Sequence, residues 1–223
     1  MERHFEKELE TLKTNLIKMG SQVDLQLGSA CRALFEGDVE RAEKVIRGDR
    51  EVDQFDTLID RQCMDIFALT QPVAIDLRLL MSSLKINSQL ERIGDIAVNI
   101  AERVAALAPH RAFLLETRLS EMASVSRIMV RDSLDSFIRS DPSMATRVLV
   151  SDDVVDTLDR GIFRAMLENM EHDNRLIQPA AHIMILSRHL ERLADHATNI
   201  AEDVIFLVEA RLVKHNAADG GLS

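Results

Sequence analysis

The chain contains no tryptophan or tyrosine, and only four prolines, eight glycines and two cysteines occur among its 223 residues. Proteins built from β-strands need turn residues about every 8 to 12 positions, and their strands favour aromatic and β-branched side chains. Apolar residues nevertheless make up 46% of the chain, enough to bury a substantial core. The composition therefore predicts an all-α protein. The cysteines, Cys31 and Cys63, are predicted to be free and buried, since disulfides are rare inside cells.

The chain also lacks a block of basic residues. It has 37 acidic and 27 basic side chains, which gives a formal net charge of −10. Because binding to nucleic-acid phosphates or acidic membrane surfaces requires a local surplus of lysine and arginine, we expect no nucleic-acid partner. No apolar run approaches the roughly 20 residues needed to cross a bilayer, and the N-terminal sequence MERHFEKELE is not of the signal type. We therefore expect a cytoplasmic protein, mature as written, that is not an integral membrane protein.

The few prolines divide the chain at nearly regular intervals. They are spaced 37, 33 and 37 residues apart, at Pro72, Pro109, Pro142 and Pro179. Each is predicted to start a helix, because proline is favoured in the first helical turn and Asp141 precedes Pro142 as a capping residue would. A further break at residues 36–38 completes a division into six helices of roughly 30 to 37 residues. Short links between such helices imply antiparallel neighbours.

The spacing of apolar residues supports this division. In the first predicted helix they recur at steps of three and four, at Leu9, Leu12, Leu16, Met19, Val23, Leu27, Ala30 and Leu34. The third predicted helix contains a similar series at Ile93, Ala97, Ile100, Val104 and Leu107. Such spacing predicts amphipathic helices that pack at shallow angles in a bundle.

The second half of the chain repeats the first. The twelve residues 91–102 recur 100 positions later as residues 191–202, and eight of the twelve are identical. A second match, at a constant offset of 103, pairs Asp38, Ala42, Val45, Asp49, Val52 and Asp53 with Asp141, Ala145, Val148, Asp152, Val155 and Asp156. Self-similarity of this kind indicates a repeated structural unit. We predict a tandem duplication of an antiparallel three-helix bundle, with repeats at residues 1–108 and 109–215 and a frayed tail at residues 216–223.

Acidic side chains recur at the same positions of both repeats. Glu91, Asp95 and Asn99 are four residues apart, so they line one stripe of the third helix, opposite its apolar seam. The second helix carries closely spaced aspartates, whose repulsion is a local cost that a cation would offset. Carboxylate oxygens from two helices suit Mg²⁺, Mn²⁺ or iron rather than a sulfur-ligated zinc. The predicted metal ligands are Asp49, Asp53, Glu91 and Asp95 in the first repeat and Asp152, Asp156, Glu191 and Asp195 in the second.

Two other interpretations stay open. The acidic stripes could be solvated surface, with Arg92 and Arg192 forming ion pairs to the carboxylates, although exposed pairs contribute only about 0 to 1 kcal/mol. On that interpretation the protein is a metal-free helical scaffold that binds partners. The second alternative is a metal-dependent enzyme, which would require an open coordination position and a base.

The chain carries no motif of the common catalytic classes. The GxxxxGK[ST], GxSxG, HExxH and paired CxxC motifs are absent, and no glutamate has a histidine three residues later, as ferritin-like di-iron proteins require. The second repeat contains His182, His189 and His196, but Ile96 stands at the position equivalent to His196 in the first repeat. These histidines receive no role, although His196 adjoins Asp195 and could influence which metal binds there. We expect no enzymatic activity.

The duplicated motifs resemble those of the PhoU family of phosphate-specific transport system accessory proteins. The first shared motif is an acidic pair four residues apart, present here as Asp49 with Asp53 and as Asp152 with Asp156. The second is Glu-Arg-x-x-Asp-x-x-x-Asn, present at residues 91–99 and 191–199. The likeness extends over residues 5 to 213. The second repeat departs at residues 193 and 194, where Leu-Ala replaces Ile-Gly, and this change removes no ligand.

The resemblance implies more than the spacing does. Proteins of this family are six-helix tandem bundles, often homodimers, that bind multinuclear metal clusters, so Fe, Mg, Mn or Zn would be bound here and no organic cofactor. By this resemblance the eight carboxylates are metal ligands, and Asn99 and Asn199 are auxiliary oxygen donors. Arg92 and Arg192 would contact the ligands without binding the metal themselves. The family relationship further implies a negative regulator of phosphate uptake and phosphate-starvation signalling. Its partners would be the ATPase subunit of the phosphate ABC transporter and a PhoR-type sensor histidine kinase.

Overall fold

Every regular element in the described part of the chain is helical. The computed structural model describes the backbone of residues 2–213 and the side chains of residues 5–213. Its helices are α1 (Glu2–Glu36), α2 (Val39–Gly48), α3 (Arg50–Leu69), α4 (Ala74–Glu102), α5 (Val104–Leu107), α6 (Arg111–Glu116), α7 (Leu119–Arg139), α8 (Pro142–His172) and α9 (Ile177–Glu209). Short 3₁₀ turns occur at Ala108–His110 and Asn174–Leu176. The predicted all-α class is confirmed, whereas the predicted frayed tail lies outside the described residues.

The helices form two three-helix bundles that pack against each other. The first bundle consists of α1, the α2–α3 pair and α4, and the second consists of α7, α8 and α9. Asp49 separates α2 from α3 with helical backbone angles, so the pair occupies the place that the single helix α8 occupies in the second bundle. Helix α4 packs on α9, and α1 packs on α7, which joins the bundles. The predicted duplication of a three-helix bundle is confirmed.

A residue in the left-handed conformation ends the first helix of each bundle. Gly37 follows α1 with φ of 72°, and Ser140 follows α7 with φ of 51°, so both residues adopt the left-handed conformation. The next residue then caps the following helix: Asp38 accepts a hydrogen bond from the Arg41 backbone N–H at 2.9 Å. Asp141 accepts the corresponding bonds from the backbone N–H groups of residues 143 and 144. The helix breaks predicted at residues 36–38 and before Pro142 are therefore confirmed.

These two turns give a matched pair of stability predictions. A left-handed conformation costs a residue with a side chain about 1–2 kcal/mol, whereas glycine adopts it freely but loses more backbone entropy on folding. We expect Ser140→Gly to raise the free energy of unfolding by about 0.5–1 kcal/mol and Gly37→Ser to lower it by a similar amount. Urea unfolding followed by circular dichroism measures both. Changes of the same sign in the two variants would contradict this account of the turns.

The prolines do not all start helices. Pro142 is the first residue of α8, and Pro179 lies in the first turn of α9. Pro72 precedes the start of α4 at Ala74 by two residues. Pro109 lies in a 3₁₀ turn, and the next long helix begins only at Leu119, so the prediction of a long helix starting at Pro109 was wrong. Proline removes a backbone donor and disrupts a helix, but the residues after it decide whether a long helix follows.

The predicted apolar seams form one core. The first-helix positions Leu12, Leu16, Met19, Val23, Leu27 and Ala30 are each no more than 1% exposed, as are Ile93, Ala97, Ile100, Val104 and Leu107. Buried residues of both bundles belong to a single hydrophobic cluster. Both cysteines are free thiols, as predicted, but only Cys63 is fully buried, whereas Cys31 is partly exposed. Burial raises the pKa of Cys31 to about 11 and that of Cys63 to about 12. Within the described part of the chain, no helix has the length and apolarity that a membrane span requires.

Candidate metal centres

The first acidic cluster lies where α4 crosses the junction between α2 and α3. The approach is close at Gly94, where a Cβ atom would lie 3.2 Å from Val52 Cγ1 and 3.6 Å from Asp49 Oδ1, and the second repeat accommodates Ala194 at the equivalent position. Gln26 of α1 donates a hydrogen bond from Nε2 to Asp49 Oδ1 at 2.8 Å and so orients that carboxylate. The first cluster consists of five carboxylates, those of Asp49, Asp53, Asp56, Glu91 and Asp95.

The carboxylates of the first cluster repel one another across the two helices. Partial burial and the charges of Asp95, Asp56 and Asp53 raise the pKa of Glu91. Burial, with the charges of Asp49 and Asp53, likewise raises the pKa of Asp95. None of the five takes part in an ion pair with a described side chain at 4.0 Å or less. The cluster therefore carries a largely uncompensated negative charge.

A buried amide, Asn87, holds part of the first cluster in place. Its Nδ2 donates hydrogen bonds to Asp56 Oδ1 at 2.8 Å and to Asp60 Oδ1 at 3.0 Å. The equivalent contact in the second bundle joins Ser187 Oγ to Asp159 Oδ1 at 2.6 Å. We did not predict Asn87, Asp56, Asp159 or Ser187 as site residues. Their repetition offered a signal, since Asp56 and Asp159 recur at the same offset of 103 as the predicted ligands.

The second acidic cluster has equivalent carboxylates, but two arginine side chains pair with them. It comprises Asp152, Asp156, Asp159, Glu191 and Asp195, from α8 and α9. The guanidinium of Arg188 lies 3.1 Å from Glu191 Oε1 and 3.6 Å from Asp159 Oδ2. Arg160 lies 3.4 Å from Asp156 Oδ2. Position 88, which corresponds to Arg188 in the first repeat, is serine. The two clusters therefore differ in charge balance although their carboxylates are equivalent.

The predicted auxiliary residues occupy different surroundings. Arg92 is near enough to Glu91 and Asp95 that its charge lowers the pKa of both carboxyl groups, against the larger effects of burial and repulsion. Asn99 is half-buried one turn beyond Asp95. Asn199 instead contacts the first bundle, with Nδ2 3.4 Å from Gln89 Oε1. The assignment of these side chains as auxiliary donors stays a prediction.

The three histidines of α9 lie along its interface with α4 and α5. His196 Nδ1 is 2.7 Å from Gln89 Oε1, and His182 Nδ1 is 3.4 Å from Arg103 Nη1. Burial, followed by the charges of Arg192 and Arg92, lowers the pKa of His196 to about 4, so this ring is neutral at neutral pH. His196 therefore helps to join the two bundles, and its observed contact is with Gln89 rather than with a carboxylate of the second cluster.

The donor types and charge of the clusters fit a hard cation, although the observed spacing does not. In the conformation described for residues 5–213, no group of three or more His, Cys, Asp or Glu side chains is placed to hold a metal ion. The first cluster offers oxygen donors alone, which are the ligands preferred by Mg²⁺, Mn²⁺ and iron. Metal binding would require these carboxylates to draw together, against a repulsion that the cation itself would remove.

Fold and site together define a class of protein: a tandem pair of three-helix bundles, each with an acidic cluster between its second and third helices. The model of the PhoU domain matches the chain twice, at residues 16–104 and 119–204. The chain belongs to the PhoU family.

Relatives of known name are similar over nearly the whole chain. The phosphate-specific transport system accessory protein PhoU homolog of Aquifex aeolicus is 42% identical over 94% of this chain and 95% of its own length. The PhoU protein of Serratia marcescens is 35% identical over 96% of this chain and 88% of its own length. The crystal structure of PhoU from Pseudomonas aeruginosa, 35% identical, has a TM-score of 0.87 and covers 93% of this chain and 100% of its own. The crystal structure of the phosphate transport system regulatory protein PhoU from Streptococcus pneumoniae is 30% identical and has a TM-score of 0.86. It covers 94% of this chain and 99% of its own.

Proposed function

We propose that this protein is a cytoplasmic accessory protein of phosphate-specific transport, that it regulates uptake negatively, and that it is not an enzyme. Similarity over almost the full length of relatives named as accessory proteins supports this proposal. Its partners are the ATPase subunit of the phosphate ABC transporter and a PhoR-type sensor histidine kinase. The protein acts as a homodimer.

We further propose that cations bind the acidic clusters and fix each second helix to the third. The observation that carries this proposal is the first cluster, where five carboxylates from the α2–α3 pair and α4 face one another without an ion pair among the described residues. A cation, of Fe, Mg, Mn or Zn, removes the repulsion between the helices and sets the charge of the surface that partners meet. Binding of several ions per cluster is consistent with the number of oxygen donors.

Regulation is tested in a strain from which the gene has been deleted. At high external phosphate, we expect the deletion to raise both phosphate uptake and the output of a phosphate-starvation reporter, and the wild-type gene to restore repression. A complementing gene with the Asp53→Asn and Glu91→Gln changes tests whether the first cluster is needed, with Asp65→Asn as a control on the same helix. Unchanged uptake and reporter output in the deletion strain would refute the regulatory function.

Arg188 gives the two clusters different metal affinities. Because its guanidinium already neutralises Glu191 and Asp159, we expect Mn²⁺ to bind the first cluster more tightly than the second. Arg188→Ser introduces the residue found at the equivalent position 88. It should increase the affinity of the second cluster for Mn²⁺ about tenfold, a modest effect because this arginine is exposed and its charge is screened by solvent. Titration calorimetry of metal-free protein with Mn²⁺ measures the change. Arg139→Ser, which removes an exposed arginine at the end of α7, is the control, and equal effects of the two substitutions would contradict the assignment.

A further inference from the structure

Two grooves lie between α1 and α7, and the duplication relates them to each other. Residues of α1 correspond to residues of α7 at an offset of 103, so the antiparallel pair forms two equivalent grooves, one toward each end. The larger, a cavity of about 420 Å³, is lined by three arginines and is called the basic groove: Arg32, Arg127 and Arg131. The smaller, of about 160 Å³, is lined by Asp24 and Asp135, and also by Arg131, which both grooves share, and is called the acidic groove.

Positive charge is in excess in the basic groove. Arg127 Nε lies 3.3 Å from Asp24 Oδ1, and Arg131 Nη2 lies 3.5 Å from Asp24 Oδ2, so two guanidinium groups share one carboxylate. Glu36 on the groove wall is paired with Arg41, which lies outside the groove lining, at 3.4 Å. The side chain of Arg32 donates to the Gly28 carbonyl oxygen at 3.3 Å and is otherwise exposed. The groove therefore holds more guanidinium charge than its carboxylates offset.

The guanidinium of Arg127 is held close to α1 but is not fully satisfied there. A Cβ atom at Gly28 would lie 2.7 Å from Arg127 Nη2, so the absence of a side chain at this position lets the guanidinium lie against the helix. Arg127 Nε is buried, yet it has no aligned hydrogen bond to any described residue, and neither has the facing Asp24 Oδ1. These two atoms face each other as an ion pair at 3.3 Å, which holds the guanidinium in place while the Arg127 side chain lines the basic groove.

The backbone arrangement alone does not require positive charge in this groove. In the acidic groove the residues equivalent to Arg32 and Arg127 are Asp135 and Asp24, at the same offset of 103. The same backbone arrangement thus accommodates carboxylates at one end and guanidinium groups at the other. Two of the three arginines, Arg127 and Arg131, share Asp24 across the contact between α1 and α7. Arg32 has no part in that contact, so its charge is the one that packing leaves unexplained.

We propose that the basic groove binds a phosphate-type oxyanion, either inorganic phosphate or a phosphate monoester. Guanidinium groups bind phosphate oxygens through paired, charge-assisted hydrogen bonds, and the hydroxyls of Ser120 and Ser124 on the groove wall can donate further bonds. Phe35, Leu115 and Ile128 supply an apolar wall for the organic part of a monoester. The cavity volume lies in the range of small-molecule sites. This site is separate from the acidic clusters and does not depend on the proposed regulatory function.

Calorimetry at low ionic strength tests the proposal on the full-length, chelator-treated protein. The probes are inorganic phosphate and phenyl phosphate, with phenol as the uncharged control. We expect saturable binding of a phosphate probe and none of phenol. Tighter binding of phenyl phosphate than of inorganic phosphate identifies a monoester site, whereas equal binding identifies the free anion as the ligand.

Two substitutions at exposed positions keep the test independent of folding. Arg32→Gln should weaken binding about 10- to 100-fold, because it removes one charge-assisted contact, and Ser124→Leu should weaken it by filling the groove. Arg164→Gln removes an exposed arginine from α8 and should leave binding unchanged. The proposal is overturned if neither phosphate probe binds with a dissociation constant below about 5 mM, which would correspond to a very weak site. It is also overturned if Arg32→Gln and Ser124→Leu both bind as the wild type does.

Discussion

Replacing Asp53 by asparagine and Glu91 by glutamine together will raise the thermal stability of the metal-free protein and will abolish the metal binding that we propose for the first cluster. The stability gain arises because partial burial and neighbouring carboxylates, Asp53 among them, disfavour the charged form of Glu91 and raise its pKa. Since these groups are partly solvated, we expect a gain of only a few tenths to about 1 kcal/mol. Because we propose both side chains as direct oxygen ligands, their loss should weaken Mn²⁺ binding there by more than about 100-fold, beyond the 10- to 100-fold loss typical of residues that only support a ligand.

The two measurements separate a metal centre from an ordinary acidic surface. Thermal unfolding with and without Mn²⁺ gives the stabilisation by metal, and calorimetry gives its affinity. Asp65→Asn is the matched control, because it removes an exposed carboxylate of α3 outside the cluster. If the double variant keeps the metal-dependent stabilisation of the wild type, the first cluster is not the metal centre. If it is destabilised without metal, the repulsion inferred from the structure is wrong.

The long helices and the duplication could be predicted because their signals are local. Apolar steps of three and four place a residue in the core whatever its neighbours are, and each seam residue used in that argument is buried, from Leu12 to Ile100. The cap at Asp141 follows from two adjacent residues. The link around Pro109 could not be predicted, because its path depends on how the buried side chains of Leu107 and Leu114 meet the two bundles.

The carboxylates of the acidic clusters could be predicted, but their partners could not. A carboxylate pair four residues apart is visible within one helix, whereas Asn87 contacts another helix, and Arg188 joins Glu191 of its own helix to Asp159 of another. Their roles depend on the register between neighbouring helices, for which the sequence of either helix alone provides no measure. Arg188 in particular follows no motif, and yet it neutralises carboxylates of the second cluster. Comparison of the repeats identifies this difference, because Ser88 occupies the equivalent position.

Truncating Leu90 to alanine will lower the free energy of unfolding by about 2–5 kcal/mol and will destabilise the whole molecule rather than one repeat. Leu90 is fully buried in α4, and its counterpart Leu190 in α9 is 2% exposed. Removing a leucine side chain from such a site loses its burial and leaves a cavity that the surrounding helices fill only in part. Both side chains belong to the cluster that unites the two bundles, so Leu190→Ala should cost a similar amount.

Urea unfolding, followed at once by circular dichroism and by hydrogen exchange of both repeats, tests this coupling. We expect one transition in the wild type and in both variants, with the same midpoint for the two repeats, because α4 packs on α9 as well as within its own bundle. Leu25→Ala, at a position 62% exposed on α1, should change the free energy of unfolding by less than about 0.5 kcal/mol. Two separate transitions, of which Leu90→Ala shifts only the first repeat, would contradict a shared core. They would favour two independent domains that divide near residues 108 and 109.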